Sequence, residues 1–367
     1  PSHKPTTGFG RFFLPGPTEV RPEILAAQAQ PMIGHRGSAI QELIGRVQPG
    51  LKRVFGTVRP VYISSSSATG LMEAAVRSCA RKRVLALVNG AFSGRFRAIA
   101  ESNGLEVDAL EVSWGEGHPP EMLEEALKRE SYDAVTVVHS ETSTGALNPV
   151  AELAEVVHRH EDVLLLVDSV TGVGGAPMAA DRWRLDFVLT GSQKALALPP
   201  GLAFGVAQES ALRRAETIPF RGTYFDIVAF EGGLAKHQTP NTPAISLLYA
   251  LQAQLERIDA ETITGRCARH RAMAERVWEW VETMADRGAG LSMLAPEGYR
   301  SPTVSCIRLP EGLTGPEITA KLGERGFTIA PGYGKLKDPT IRIGHMGDHT
   351  IQELDELLEQ LEGVLTE

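Results

Sequence analysis

The sequence predicts an α/β protein: a mostly parallel sheet covered by helices on both faces, followed by a smaller α+β domain. Three observations carry this. Short runs rich in Val, Ile and Leu alternate with amphipathic stretches. The runs are apolar at successive positions, so both faces of each strand are buried. After about Thr242 the alternation gives way to long helices and sparser strand-like pieces. Strands apolar on both faces and separated by helices imply βαβ units, and mixed elements at lower density imply a separate α+β layer.

Candidate strands in chain order are Val84–Asn89, Ala134–His139, Val163–Asp168, Phe187–Thr190 and Leu202–Ala207. The helices among them are Leu71–Ala80, Ser93–Ser102, Glu121–Arg129 and Ala151–His160. Runs this short are not separable from buried helix by periodicity alone, so the regular alternation decides. Further on, Ala244–Ile258 and Arg266–Met284 read as long helices. Thr303–Leu309 and Thr340–Ile343 read as strands, and Pro316–Arg325 and Thr350–Leu365 as helices. A boundary near residue 250 gives a large domain, 1–250, and a small one, 251–367. The length of 367 residues fits two domains.

Composition narrows the function classes. Apolar residues make up 43% and charged residues 22%, which excludes a disordered or collagen-like chain. A net charge of −8 argues against a nucleic-acid partner, whose usual footprint is basic. No stretch reaches the roughly 18 apolar residues of a membrane span, and the uncharged run Ala195–Ala207 is broken by Pro199, Pro200 and Gly201. Pro1–Pro5 lacks the apolar segment of a secretory signal. Cys79, Cys267 and Cys306 form neither a CxxC nor a disulfide framework, so a cytoplasmic location and no metal site are expected.

Ligands of an open parallel sheet gather beyond the C-terminal ends of its strands. Asp168 ends an apolar strand there, where a carboxylate is costly unless it meets a cation or strong donors. The plainer alternative is a helix N-cap or a loop ion pair. Lys194 follows the next strand and precedes an apolar run. Desolvation lowers a lysine pKa, and the neutral amine then forms a Schiff base. An acid that protonates a pyridine nitrogen and an amine that holds an aldehyde are what pyridoxal phosphate needs. Ser64-Ser-Ser-Ser-Ala-Thr-Gly70 leads into a helix and offers an anion cup, or else a simple N-cap. Neither a Walker loop nor a GxGxxG after a strand is present. Phe92 follows a strand and could stack on a ring or fill core. Arg342, between two isoleucines, suits a carboxylate or a structural ion pair.

Taken together these residues resemble the class V, fold-type I pyridoxal-phosphate aminotransferases, the branch of alanine–glyoxylate, serine–glyoxylate and serine–pyruvate enzymes. The resemblance runs from Leu14-Pro-Gly-Pro-Thr18 through Ser140-Glu-Thr-Ser-Thr-Gly145, Val167-Asp-Ser-Val170 and Gly191-Ser-Gln-Lys194 to Arg342-Ile-Gly-His-Met-Gly347. It implies Lys194 as the Schiff-base lysine and proton carrier, Asp168 on the pyridine nitrogen and Phe92 stacked on the ring. It places Ser67, Ala68, Thr69 and Gln193 by the phosphate and Thr142 by the ring hydroxyl. Thr239 or Thr242, within Gln238–Pro243, would reach the phosphate of a neighbouring subunit in a homodimer with shared sites. Arg342 would clamp the substrate carboxylate. The implied reaction moves an amino group from serine or alanine to glyoxylate or pyruvate.

One departure is Ser66-Ser-Ala-Thr69, where many relatives carry Gly and His, which removes a contact on the substrate side. His35-Arg36 falls where the family lines the site entrance. A similar pair grips phosphate in phosphoserine aminotransferases, the main alternative, and does not discriminate. A lyase or desulfurase of the same fold would want a mobile reactive cysteine, whereas Cys306 sits in an apolar run that reads as core.

Overall fold

The computed structural model describes Gly8–Thr366, so the reading of Pro1–Pro5 lies outside the described residues. In chain order the first strands are β1 (Tyr62–Ser64), β2 (Arg83–Val88), β3 (Glu106–Glu111), β4 (Ala134–Val138), β5 (Ser140–Glu141), β6 (Ala146–Leu147), β7 (Leu164–Asp168), β8 (Phe187–Gly191) and β9 (Ala203–Ala207). Seven of them form one sheet in the order β1-β9-β8-β7-β4-β2-β3, while β5 and β6 pair separately. Every residue of β4, β7, β8 and β9 is buried, which explains their unbroken apolar sequence.

The sheet is parallel across β3, β2, β4, β7 and β8. Strand β9, expected simply as another member of the run, is antiparallel to both β8 and β1. The cause is local: only the turn 192–202 joins β8 to β9, and a parallel return needs a crossover of a dozen or more residues, usually helical.

The expected helices are present within a few residues of their predicted ends, with one consequential correction. The helix expected from Leu71 begins at Ala68, with Ser67 as its N-cap. Ala68 and Thr69 therefore form its first turn rather than the loop before it. Several elements were not anticipated. Helix Ser38–Phe55 hides its periodicity behind Gly45, Pro49 and Gly50. Strand β3 lies at the sheet edge and alternates Glu106, Asp108 and Glu111 with apolar residues.

The C-terminal part forms a second sheet from β10 (Ser292–Met293), β11 (Ser305–Arg308), β12 (Ala330–Pro331) and β13 (Thr340–Ile343). It is antiparallel, in the order β10-β11-β13-β12. Helices Ile263–Asp286 and Ile351–Leu365 supply Met273, Val277, Trp280, Leu357 and Leu361 to its core, beside Ile307 and Ile341. Each such side chain contributes roughly 1.5–3 kcal/mol by leaving water. Phe13 joins this core from the other end of the chain. Its N–H donates to the Thr328 carbonyl at 2.7 Å and its carbonyl accepts from Gly344 N–H at 2.8 Å. The following residues, Leu14–Thr18, are thereby led to the C-terminal edge of the large sheet. Among the described residues, no helix is long and apolar enough to cross a membrane.

Candidate active site

Neighbouring parallel strands β7 and β8 end side by side, with Asp168 opposite Leu189. Beyond their ends lies a cavity of about 350 Å³. It is lined by Asp168, Lys194, Gln193, Ser67, Ala68, Thr69, Phe92 and Thr142, all singled out from the sequence.

Lys194 is 8% exposed, and its Nζ donates to the Pro15 carbonyl. Burial pushes its ammonium down to about 8, with the positive charge of Arg342 acting in the same direction and Asp168 opposing both. Asp168 is 3% exposed, and burial pushes its carboxyl up to about 7. The Val170 N–H, 2.8 Å from Oδ1, opposes that rise, and the nearby Glu141 charge adds to it. Desolvation therefore disfavours charge on both groups. An amine in this state is a nucleophile, and a carboxyl in this state gains from any N–H⁺ brought against it.

The lysine is held from several directions. Gly16 has φ +115°, and a Cβ there would collide with Lys194 Nζ, so the close approach of backbone to amine requires glycine. Thr18 N–H donates to the Gln193 carbonyl at 2.9 Å, and Thr18 Oγ1 to the Lys194 carbonyl at 3.1 Å. On the far side, the fully buried Arg266 donates from Nη2 to the Ala195 carbonyl at 2.8 Å. Its Nη1 pairs with Asp348 at 2.9 Å.

At the other end of the cavity, Ser67 caps helix Ala68–Cys79 with extended backbone but no side-chain cap bond. The N–H groups of Ala68 and Thr69 are thus available to an anion, at the positive end of a twelve-residue helix, while Gly70 N–H already donates to the Ser67 carbonyl at 3.0 Å. Nearby, Gln193 Oε1 is buried without a hydrogen-bond partner. An anion cup, a carboxyl that gains from a cationic N–H and an amine whose charge burial disfavours fit the three ends of pyridoxal phosphate. Phe92 supplies an aromatic wall, with Lys194 Nζ 5.9 Å from its ring centre.

Phe92 is fixed by Glu141, a fully buried carboxylate quoted from the sequence only within a motif. Glu141 accepts from the N–H groups of Phe92 (3.2 Å) and Ser93 (2.9 Å) and from the hydroxyls of Ser93 (2.9 Å) and Ser143 (2.6 Å). It thus supplies the N-terminal partners of helix Ala91–Ser102. Sequence reasoning passed over its role, although Glu141 lies just beyond strand β4, where such residues are sought. It also missed Arg95, one turn after Phe92, which lines the same cavity.

Arg342 lies beside the cavity rather than among its lining residues. Its Nε donates to the Pro331 carbonyl (3.1 Å) and its Nη1 to the Thr142 carbonyl (3.2 Å), while its guanidinium stands 5.4 Å from the Tyr333 ring centre. Four predicted residues are placed away from this cavity. Arg36 donates to the Thr239 carbonyl (2.6 Å) and the Pro240 carbonyl (3.0 Å), and His35 is exposed. Thr239 and Thr242 line a separate small depression with Tyr224.

Comparison with known proteins shows the family. A family model described as aminotransferase class-V matches residues 41–308. An uncharacterized aminotransferase of Methanocaldococcus jannaschii is 37% identical over 91% of this chain and 87% of that protein. An L-aspartate–glyoxylate aminotransferase of Paracoccus denitrificans is 34% identical over 92% of this chain and 86% of that one. The crystal structure of an alanine–glyoxylate aminotransferase from Nostoc sp. superposes with a TM-score of 0.89 at 29% identity, covering 100% of this chain and 98% of that one. The chain belongs to the class-V aminotransferases: it is a pyridoxal-phosphate-dependent aminotransferase of fold type I.

Proposed function

We propose that the enzyme transfers the amino group of a small amino acid, serine or alanine, to a small 2-oxo acid, glyoxylate or pyruvate, in ping-pong fashion. The observation that carries this is the meeting of a buried amine, Lys194, and a buried carboxyl, Asp168, in one cavity from neighbouring strands. Glyoxylate also stands in the names of two similar proteins.

The bound cofactor supplies an aldehyde and an electron-withdrawing ring that together make an amino acid's Cα–H acidic. Asp168 holds a proton at the ring nitrogen. Lys194, whose ammonium burial pushes down to about 8, would hold the aldehyde and would move the proton at the donor's Cα; such acid–base work contributes roughly 10²–10⁴-fold. The N–H groups of Ala68 and Thr69, with Ser67 and Gln193, bind the phosphate. Phe92 would face the ring, and Thr142 would hold its hydroxyl. Arg342, with Nη2 unbonded among the described residues, binds the substrate carboxylate.

The working unit in this reading is a homodimer, in which Thr239 or Thr242 reaches the neighbouring phosphate. Exposed Met32, two residues before the 34–37 segment, and exposed Tyr224, whose carbonyl accepts from Asn241 Nδ2, support a covered face there. Arg36 then organises the lent segment through its two carbonyl bonds, and His35 stands at the entrance. With Arg36 so engaged, nothing favours the phosphoserine alternative. The two sheets, each with its own core, support a division near residue 250, with the Phe13 segment crossing between the parts. Three free cysteines accord with a cytoplasmic location.

The test is a panel of serine, alanine and phosphoserine against glyoxylate, pyruvate and 2-oxoglutarate. Serine or alanine with glyoxylate should give the highest kcat/KM, with parallel double-reciprocal lines. A clear preference for phosphoserine with 2-oxoglutarate, or no transfer to glyoxylate, would refute the reading.

A further inference from the structure

Helix Ala91–Ser102 starts just past strand β2 and presents two residues to the cavity, Phe92 and Arg95. Three positions apart, they share a helix face. The Arg95 guanidinium carbon lies 5.0 Å from the Phe92 ring centre. Phe92 also meets Tyr333, with ring centres 5.5 Å apart, and the Arg342 guanidinium stands 5.4 Å from the Tyr333 ring centre. Two arginines thus stand against an aromatic pair, Arg95 lining the cavity and Arg342 beside it.

They differ in what binds them. Arg342 is anchored by two carbonyls. Arg95 has no hydrogen bond or ion pair among the described residues. Other arginines of this region are neutralised: Arg97 by Glu101 and Glu111, and Arg83 by Asp108 and Glu130. Arg95 is exposed yet lines the cavity, and its charge reaches both Asp168 and Lys194. An unneutralised guanidinium held over a ring keeps its edge N–H donors free, the geometry that takes a carboxylate in two parallel bonds. One carboxylate is taken by Arg342 in the reading above, on which this inference rests. A substrate with two has a second cation waiting.

We propose that Arg95 is a specificity-determining residue that binds the second carboxylate of a dicarboxylic amino acid, so that the enzyme also uses donors of the aspartate class. Small monocarboxylic donors leave Arg95 to solvent, and dicarboxylic donors engage both arginines.

The test compares wild-type holoenzyme with Arg95→Gln and Arg95→Lys, glyoxylate being the acceptor and aspartate and alanine the donors. In R95Q the ratio of kcat/KM for aspartate to that for alanine should fall roughly ten- to hundredfold, because a charged partner is left unpaired. R95K, which keeps the charge but loses the fork, should recover part of the ratio. Calorimetry on the same holoenzymes gives a readout apart from turnover, with succinate as a dicarboxylate lacking an amine and propionate as its monocarboxylate control. Succinate binding should weaken in R95Q by a similar factor relative to propionate. A ratio in R95Q within about twofold of wild type overturns the assignment. So does a wild-type enzyme that turns over alanine but neither uses aspartate nor binds succinate. If aspartate is used and alanine is not, the choice of small monocarboxylic donors fails while Arg95 keeps its role.

Discussion

The two ends of the parallel sheet each carry a cavity, and the larger one is at the end without the chemistry. At the N-terminal ends of β7 and β8 lies a space of about 650 Å³, rich in arginine, histidine and carboxylate. At their C-terminal ends the space is about 350 Å³. In the larger cavity the carboxylates are matched. Asp162 takes Arg81 and Arg214, and Glu209 takes Arg59. Asp181 accepts from Thr57, Val58 and Gln208, and Asp186 from Leu165 and Ser210. In the smaller cavity a buried amine and a buried carboxyl face open space, a glutamine oxygen is orphaned and an arginine has no counter-ion. Charges already satisfied by their own chain stabilise it, and those left incomplete are poised for a ligand. The larger cavity has loose ends too, His160 Nε2 among them, so neither size nor an orphaned atom separates the two ends; a buried amine and a buried carboxyl facing one space do.

The largest effect should come from Lys194→Ala, which removes both the attachment point and the proton carrier. Turnover should fall by more than about 10⁴-fold in a stopped assay of product. Next is Asp168→Asn, with turnover down about 10²–10³-fold. The same change should act oppositely on the cofactor-free protein. Asp168 gains protons on folding between its ordinary value of 3.8 and about 7, so its contribution to stability is present at low pH and is lost as pH rises through 7. Urea melts should show cofactor-free D168N gaining on wild type by up to about 4 kcal/mol between about pH 4 and pH 8. A constant difference across that range would contradict the burial of this carboxyl.

Gly16→Ala probes the close contact with Lys194 and should cost about 1–3 kcal/mol of stability. Displacing the amine should lower kcat by roughly tenfold to 10²-fold, measured with saturating donor. The smallest effect on turnover belongs to the far end of the sheet. Arg214→Met strips donors from the carbonyls of Cys79, Asp133 and Asp162. A thermal melt should report a loss of about 1–3 kcal/mol, and kcat/KM should stay within about a factor of two of wild type. A fall comparable to that of G16A would erase the contrast between the two ends.

Much of this was legible in the sequence for a definite reason. Strands buried on both faces must be apolar throughout, so a polar residue just past one, as with Asp168 and Lys194, is conspicuous. The resemblance then supplied the roles of Phe92, Thr142 and Gln193. What escaped depends on pairing across the chain. Arg95 looks like any surface arginine until its lack of a counter-ion is seen. Glu141 matters through the helix it caps 48–49 residues upstream. The direction of β9 follows from the absence of a crossover helix, which the strand's own residues do not state. Arg36 proves to be bonded to the 239–240 carbonyls, a contact across 203–204 positions that no local pattern encodes.

The roles proposed for the other residues all depend on Lys194 being the amine that holds the cofactor. Borohydride reduction of the purified enzyme followed by peptide mass mapping tests that directly. The added mass of reduced pyridoxal phosphate is expected on the peptide containing Lys194, with no label in Lys194→Ala. Label on a different lysine, or undiminished label in the variant, would contradict it.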